Sequence, residues 1–229
     1  MAEKKPQPVS GPSGVGKNST IGVCIEEYDD MRGVVSITTR EARMERGRME
    51  IDGVHYYFRK DYDGIWRAVE AGEFFQIAVP KTGKAFYGSL PEDYPDDATA
   101  LIDVSVEEAL KLHDELAVTP VCILPPSMLA LTSRLDARGS ISPEARKDRL
   151  TEAVDSIGIG VKSGSPFQCI INDDLPVTAR YLCEVARYGG YDDRLEEIAR
   201  ETGRFILREL SSDLGLPRTF GGFSFSLEQ

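Results

Sequence analysis

Histidine is nearly missing from this sequence. The two present, His55 and His113, stand far apart and suggest no metal site. Cysteine is sparse too. Cys24, Cys122, Cys169 and Cys183 show no close paired spacing. That argues against a disulfide framework or a zinc site and for small core residues in a reducing, cytoplasmic compartment. No stretch approaches 18 apolar residues, so no membrane span is expected. The opening "MAEKKPQPVSG" carries charge but no apolar run, so no signal peptide is expected either. Positive charge is in deficit: 27 Lys and Arg face 38 Asp and Glu, a formal net charge of −11. Nucleic acids and anionic membranes both demand basic surfaces, so neither is expected as a partner. A phosphate site in this chain has to be a local cluster of cations on an acidic background.

What remains is ordinary for a folded protein. With 229 residues and 41% hydrophobic content, the chain can fill one large domain, or a core with an inserted subdomain. Pro6 and Pro8 weaken a first strand within residues 1–10, because proline cannot donate to a ladder; a short or edge strand is expected there. Helical spacing covers 18–31, with Ile21, Cys24, Ile25 and Tyr28 on one face. "GVVSITTR" (33–40), "GVHYYF" (53–58) and "EFFQIAV" (73–79) read as strands, with a short helix over 61–72 closed by Gly72. "ATALIDV" (98–104), "TPVCILPP" (119–126) and "FQCIIND" (167–173) are apolar runs of the kind buried in parallel sheets. Helices are expected over 105–117, 127–139, 142–157, 174–188 and 191–214. Ser142 begins a capping box that Ala145 leaves incomplete. Strands alternating with helices predict an α/β fold with a parallel sheet flanked by helices. Denser strand content between 33 and 90 predicts a small mixed subdomain inserted into it.

One motif carries chemistry. "GPSGVGKNS" (11–19) fits G-x-x-x-x-G-K, set between a strand and a helix. Gly11, Gly14 and Gly16, with Pro12, Ser13 and Val15, would turn backbone N–H groups around a polyphosphate, and Lys17 would reach its terminal phosphates. The next position normally offers a hydroxyl to magnesium, and here it is Asn18. An amide oxygen is a hard, neutral donor and can serve, or Ser19 can if the helix start shifts. Asp103, ending the strand "TALID", is a candidate to hold a metal-bound water.

A second cluster lies in "SITTREARMERGRMEIDGVHYYF" (36–58). Arg40 and Arg43, three apart, can clamp one phosphate with two guanidinium forks, and the Tyr56 and Tyr87 hydroxyls can join them. At this point the chain resembles the guanylate kinase family. The resemblance runs from about Ser10 to Arg187. It rests on "GPSGVGK", "SITTREAR", "DGVHYYF", "GEFFQ", "FYGS", "LIDV", "ILPPS", "RLDARG", "RKDRL" and "INDDL", in family order. It implies a P-loop core over 1–34 and 91–190, a nucleoside monophosphate-binding subdomain over 35–90 and a lid over 137–150. Residues 191–229 are left as a C-terminal helix and tail. It also implies ATP and Mg²⁺ as cofactors. Arg40, Arg43, Tyr56 and Tyr87 would hold the acceptor phosphate; Arg138 and Arg149 would be lid arginines that neutralise the phosphoryl group in flight, with Arg134 a further candidate.

The base-reading positions depart from the family. Its glutamate after "GEF" is Gln76 here, and its aspartate two residues past the strand-end acid is Ser105, whereas Ser36 and Ser89 keep the other base-side positions. A carboxylate only accepts, which suits the adjacent N–H donors of guanine; an amide or a hydroxyl suits them less. Three readings follow. One is a nucleoside monophosphate kinase using GMP or a related acceptor. The second is a sugar-phosphate kinase resembling ribose 1,5-bisphosphate phosphokinases. The third is a catalytically silent module that binds phosphorylated ligands. The C-terminal apolar positions Leu195, Ile198, Phe205 and Ile206 suit a helix docked on the core or on a second subunit, so monomer and homodimer both stand.

Overall fold

A computed structural model describes residues 5–45, 48–79, 85–137 and 142–216, with 219–220 and 223–224. The chain opens with β1 (Gln7–Ser10), α1 (Lys17–Glu27) and β2 (Met31–Gly33). Short strands follow: β3 (Ile37–Thr38), β4 (Met44–Glu45), β5 (Arg48–Met49) and β6 (Tyr57–Phe58). After these come α2 (Tyr62–Glu70), β7 (Gln76–Ala78) and β8 (Tyr87–Ser89). The rhythm then becomes regular: β9 (Thr99–Asp103), α3 (Val106–Leu116), β10 (Val121–Leu124), α4 (Met128–Asp136), α5 (Pro143–Val161), β11 (Gln168–Ile171), α6 (Leu175–Tyr188) and α7 (Asp193–Asp213). Thr219–Phe220 and Phe223–Ser224 pair as two short antiparallel strands, β12 and β13.

The main sheet is parallel throughout, in the order β11-β10-β1-β9-β2. Its strands are apolar because both faces are covered. On one face α1 and α6 pack Cys24, Ala179 and Leu182 against Val9, Leu101 and Ile123. On the other, α3, α4, α5 and α7 pack Leu131, Leu135, Ile157 and Leu207 against Ile102, Leu124 and Cys169. All four cysteines are buried free thiols in these two layers. The second sheet, β6-β3-β8-β7, is mixed: β3 runs parallel to β6, and β8 antiparallel to β3 and β7. No helix among the described residues is long and apolar enough to cross a membrane.

Three expectations need correction. The proline-bearing first strand is short, at four residues, but it is not at an edge. It is the middle strand, with Val9 opposite both Val121 and Asp103. The amide of Gln7 donates to Thr119 O at 2.7 Å beside Pro8, adding a contact where proline gives none. The run "GVVSITTR" is not one strand. Its β-branched residues suit a strand anywhere, and the chain changes sheets within it, from β2 to β3. The C-terminal helix does pack on its own core, but by a different stripe: Ala199, Gly203, Ile206, Leu207 and Leu210 are buried there. Leu195, Ile198 and Phe205 are exposed. Small residues let α7 approach closely, and a search for large apolar residues passes over them. A Cβ on Gly203 would stand 2.6 Å from Val161 Cγ1 and 2.9 Å from Leu124 Cδ1.

That contact gives a paired stability test. Gly203→Val should lower the unfolding free energy in urea by about 2 kcal/mol or more, since overpacking outweighs any gain in helix propensity. Gly22→Ala, in α1 with nothing within 4 Å of the new Cβ, should raise it by roughly 0.5–1 kcal/mol.

Candidate active site

The glycine loop leaves the central strand β1 and enters α1 at Gly16, whose φ of 104° only glycine adopts without strain. Gly11 has a φ of 131° and passes so close to the Ile123 carbonyl that a side chain there would collide with it. The loop is bracketed from behind. Val15 O accepts from Arg134 Nη1 at 3.1 Å and from Asn172 Nδ2 at 2.7 Å, and Arg134 Nη2 also binds Asn172 O at 3.0 Å. In a trans peptide the N–H opposes the C=O. Fixing the Val15 carbonyl outward therefore turns the Gly16 N–H toward the cavity that Gly16 lines. Lys17 Nζ donates to Gly11 O at 2.9 Å and stands 3.7 Å from Asp103 Oδ1. Asp103 reaches it because β9 ends beside β1, in register with Val9.

Across the cavity, the second sheet supplies an arginine clamp. Arg40, just past β3, uses every nitrogen. Nη1 and Nη2 bind the Glu50 carboxylate at 2.6 and 2.8 Å, Nη1 also donates to Glu41 O, and Nε donates to the Tyr87 hydroxyl at 3.2 Å. Its guanidinium lies 4.7 Å from the centre of the Tyr56 ring. The pair is secluded, with the Arg40 and Glu50 side chains 9% and 6% exposed. Burial alone would raise the Glu50 carboxyl, but the Arg40 hydrogen bonds, the Arg43 N–H at 2.8 Å and both guanidinium charges outweigh it. The carboxyl is held below its ordinary range. Tyr56 moves the other way: burial, then the Asp103 charge, push its hydroxyl up, so it stays a protonated donor. The same hydroxyl is hydrogen-bonded by Asn18, which ties the glycine loop to the clamp.

These two sets line one open cavity of about 230 Å³, small for a ligand site and of a size for phosphates rather than whole nucleotides. Ser13, Gly14, Gly16, Lys17, Asn18 and Asp103 line it from the core. Arg40, Arg43, Tyr56 and Tyr87 line it from the second sheet, and Arg149 from α5.

A family model described as guanylate kinase matches residues 3–185. The chain belongs to the guanylate kinase family. Guanylate kinase of Symbiobacterium thermophilum is 35% identical over 185 residues, covering 77% of this chain and 80% of that one. The guanylate kinase of Hyphomonas neptunium is 34% identical over 184 residues, 76% of this chain and 78% of its own. A crystal structure of guanylate kinase from Anaplasma phagocytophilum has the same fold, with a TM-score of 0.58. It is 22% identical and covers 83% of this chain and 88% of that chain. Guanylate kinases are ATP-dependent nucleoside monophosphate kinases, and the chain is an enzyme of that class. Helix α7 lies beyond the matched residues.

Not every expected guanylate kinase residue faces the cavity. Gly11, Pro12 and Val15 shape the loop from outside the lining, and Ser19 is absent from it, so Asn18 rather than Ser19 is the side chain presented there. Arg134 is a bracket for the loop and not a cation in the cavity. Arg138 lies outside the described residues. On the base side, Ser36, Gln76 and Ser89 are buried behind the lining. Ser89 Oγ pairs with the Tyr94 hydroxyl at 2.7 Å. Ser105 is exposed and caps α3, accepting from Glu108 N at 3.1 Å. Three cavity residues escaped the sequence reading: Met44, Glu50 and, on α5 one turn past Arg149, Glu152. Glu50 carried a signal, as an acid at the end of the basic run "RGRME".

Removing one member of a buried pair strands the other's charge. Glu50→Ala should lower stability by about 3 kcal/mol at neutral pH. The pair's contribution is present above the unfolded glutamate value of about 4.3. It is lost as pH falls through the depressed folded value, so the gap between wild type and variant should close only in acid. Urea titrations from pH 7 down to pH 3 measure it.

Proposed function

We propose that this enzyme transfers the γ-phosphoryl group of ATP to a nucleoside monophosphate, with GMP as acceptor. The observation that carries the reading is the single cavity that brings Lys17 of the glycine loop, the Arg40–Tyr56–Tyr87 clamp and Arg149 together. Two anionic substrates repel one another. An enzyme that joins them has to supply cations on both sides and a third at the group in transit.

In this reading the backbone N–H groups of the glycine loop cradle the donor β- and γ-phosphates, and Lys17 leaves Asp103 to neutralise them. Arg40 is already oriented by Glu50. With Arg43 and the two tyrosine hydroxyls, it holds the acceptor phosphate in line with the donor. Arg149 balances the charge that spreads over the transferred group. Magnesium suits the oxygen donors present: Asn18 and Asp103 line the same cavity. No cluster of three His, Cys, Asp or Glu forms a cage among the described residues. Magnesium is commonly held by one or two protein ligands and keeps several waters. Asn18 and Asp103 would hold it, and bound there it would offset charge on the donor phosphates.

Gln76 and Ser105, standing where carboxylates are expected, favour a second reading: a sugar phosphate such as ribose 1,5-bisphosphate as acceptor. ADP release from Mg-ATP with GMP, dGMP, AMP, CMP, UMP or ribose 1,5-bisphosphate separates the two. GMP should give the highest kcat/KM. Turnover of the sugar phosphate alone would establish the second reading. No turnover with any acceptor, together with phosphopeptide binding, would make the chain a silent module. Lys17→Ala should cut kcat by roughly 10²–10³-fold and leave acceptor binding intact. Arg40→Ala should instead raise the acceptor KM by roughly tenfold or more.

A further inference from the structure

Behind the phosphate cavity lies a small polar cluster that the transfer chemistry leaves unused. Gln76 on β7 pairs in register with Ser89 on β8. Ser89 and Tyr87 lie two apart on one strand, so they share a face about 6.8 Å from one another. Tyr87 touches the Arg40 clamp; Ser89 is one pleat further, buried against Tyr94. The cluster thus sits one strand repeat beyond the Tyr87 that touches the clamp.

A carboxylate closes the cluster from the facing helix. Glu108, in the first turn of α3, is hydrogen-bonded with the Gln76 side chain, and its charge helps raise the Tyr94 hydroxyl. Its side chain is only 11% exposed. Among the described residues its buried Oε1 accepts no hydrogen bond, and Lys111 Nζ stands 3.7 Å away. A buried acceptor left without a donor is costly. Burial first of all, against the relief given by Lys111, raises the Glu108 carboxyl above its ordinary range, the mark of an under-solvated anion. The N-terminal end of α3 and Lys111 both favour an acid here, and neither gives Oε1 a hydrogen bond.

Building on the kinase reading above, we propose that Glu108, held by Gln76, is the carboxylate that reads the acceptor's base. It accepts from two adjacent N–H donors, as on the pairing edge of guanine. Gln76 is then a positioning residue, and the negative charge has moved from the strand to the helix facing it. This accounts for a guanylate kinase family member with an amide at position 76. Specificity comes from Glu108 because a base that offers an acceptor in place of N1–H meets a lone pair there.

Steady-state kinetics with Glu108→Gln and with the swap Gln76→Glu/Glu108→Gln test it. Glu108→Gln should raise the KM for GMP roughly tenfold or more while kcat moves less than about threefold. The swap should bring KM back to within about threefold of wild type, a recovery that a merely structural role for Glu108 would not give. Wild type should also use inosine monophosphate, which lacks the second donor, roughly tenfold less well than GMP, and AMP far less still. That ranking tests the idea even if a variant fails to fold. An unchanged GMP KM in folded Glu108→Gln, or wild type using AMP as well as GMP, would overturn the assignment and leave the kinase reading standing. Wild type inactive toward every monophosphate would overturn the kinase reading itself.

Discussion

The buried pairing of Arg40 with Glu50 is the constraint on which the rest of the site depends. A chain with a net charge of −11 cannot attract phosphate by its overall field. It has to keep a few cations in one place and aim them. Glu50 does this for Arg40 through two short hydrogen bonds, and its carboxylate also takes the backbone N–H of Arg43, so one acid fixes the Arg40 guanidinium and the chain at Arg43. The cost is that the acid itself stands in the cavity. That charged carboxylate is offset there by the Arg40 guanidinium, while burial keeps the Tyr56 hydroxyl beside it a neutral donor. Asp103 does the same for Lys17, more loosely, at 3.7 Å.

The fold supplies the rigidity behind these contacts. The glycine loop is strained at Gly11, Gly14 and Gly16, each with positive φ. It holds that shape because the Val15 carbonyl is pinned by Arg134 from α4 and Asn172 at the end of β11. Three separate elements thus meet at one peptide. The arrangement makes the central position of β1 a requirement: only a middle strand leads a loop between β10 and β9, where both the bracket and Asp103 are in reach. The clamp, by contrast, sits on strands of two or three residues with many exposed neighbours, among them Met44, Met49 and Ile51. Such short ladders are the low-stability end of a structure and the part expected to move when substrates bind.

Much of this was legible in the residues. Lys17, Arg40 and the two tyrosines, singled out from their residue types and spacing, do line one cavity. The apolar runs around Ile102 and Ile123 announce buried parallel strands. What sequence missed was decided by partners far along the chain. Pro8 argued for an edge, yet the need of the loop for a central support prevails. Arg134 looked like a catalytic cation, but its guanidinium is spent on two carbonyls 119 and 38 residues away. Leu195, Ile198 and Phe205 looked like the packing face of α7, whereas Gly203 and Ala199 allow the closer approach. Ser105, where the family has an aspartate, also caps α3, which the sequence reading did not foresee. Each failure is a case in which side-chain type was read without knowing what stood opposite.

The account's central claim is that donor and acceptor phosphates meet in one cavity, between Lys17 and Arg40. A bisubstrate analogue that joins adenosine and guanosine through a chain of phosphates would test it most directly, by titration calorimetry. Binding at least roughly 100-fold tighter than either GMP or ATP alone is predicted, because one molecule would then engage both sets of cations at once. Affinity no greater than that of the tighter single nucleotide would contradict it.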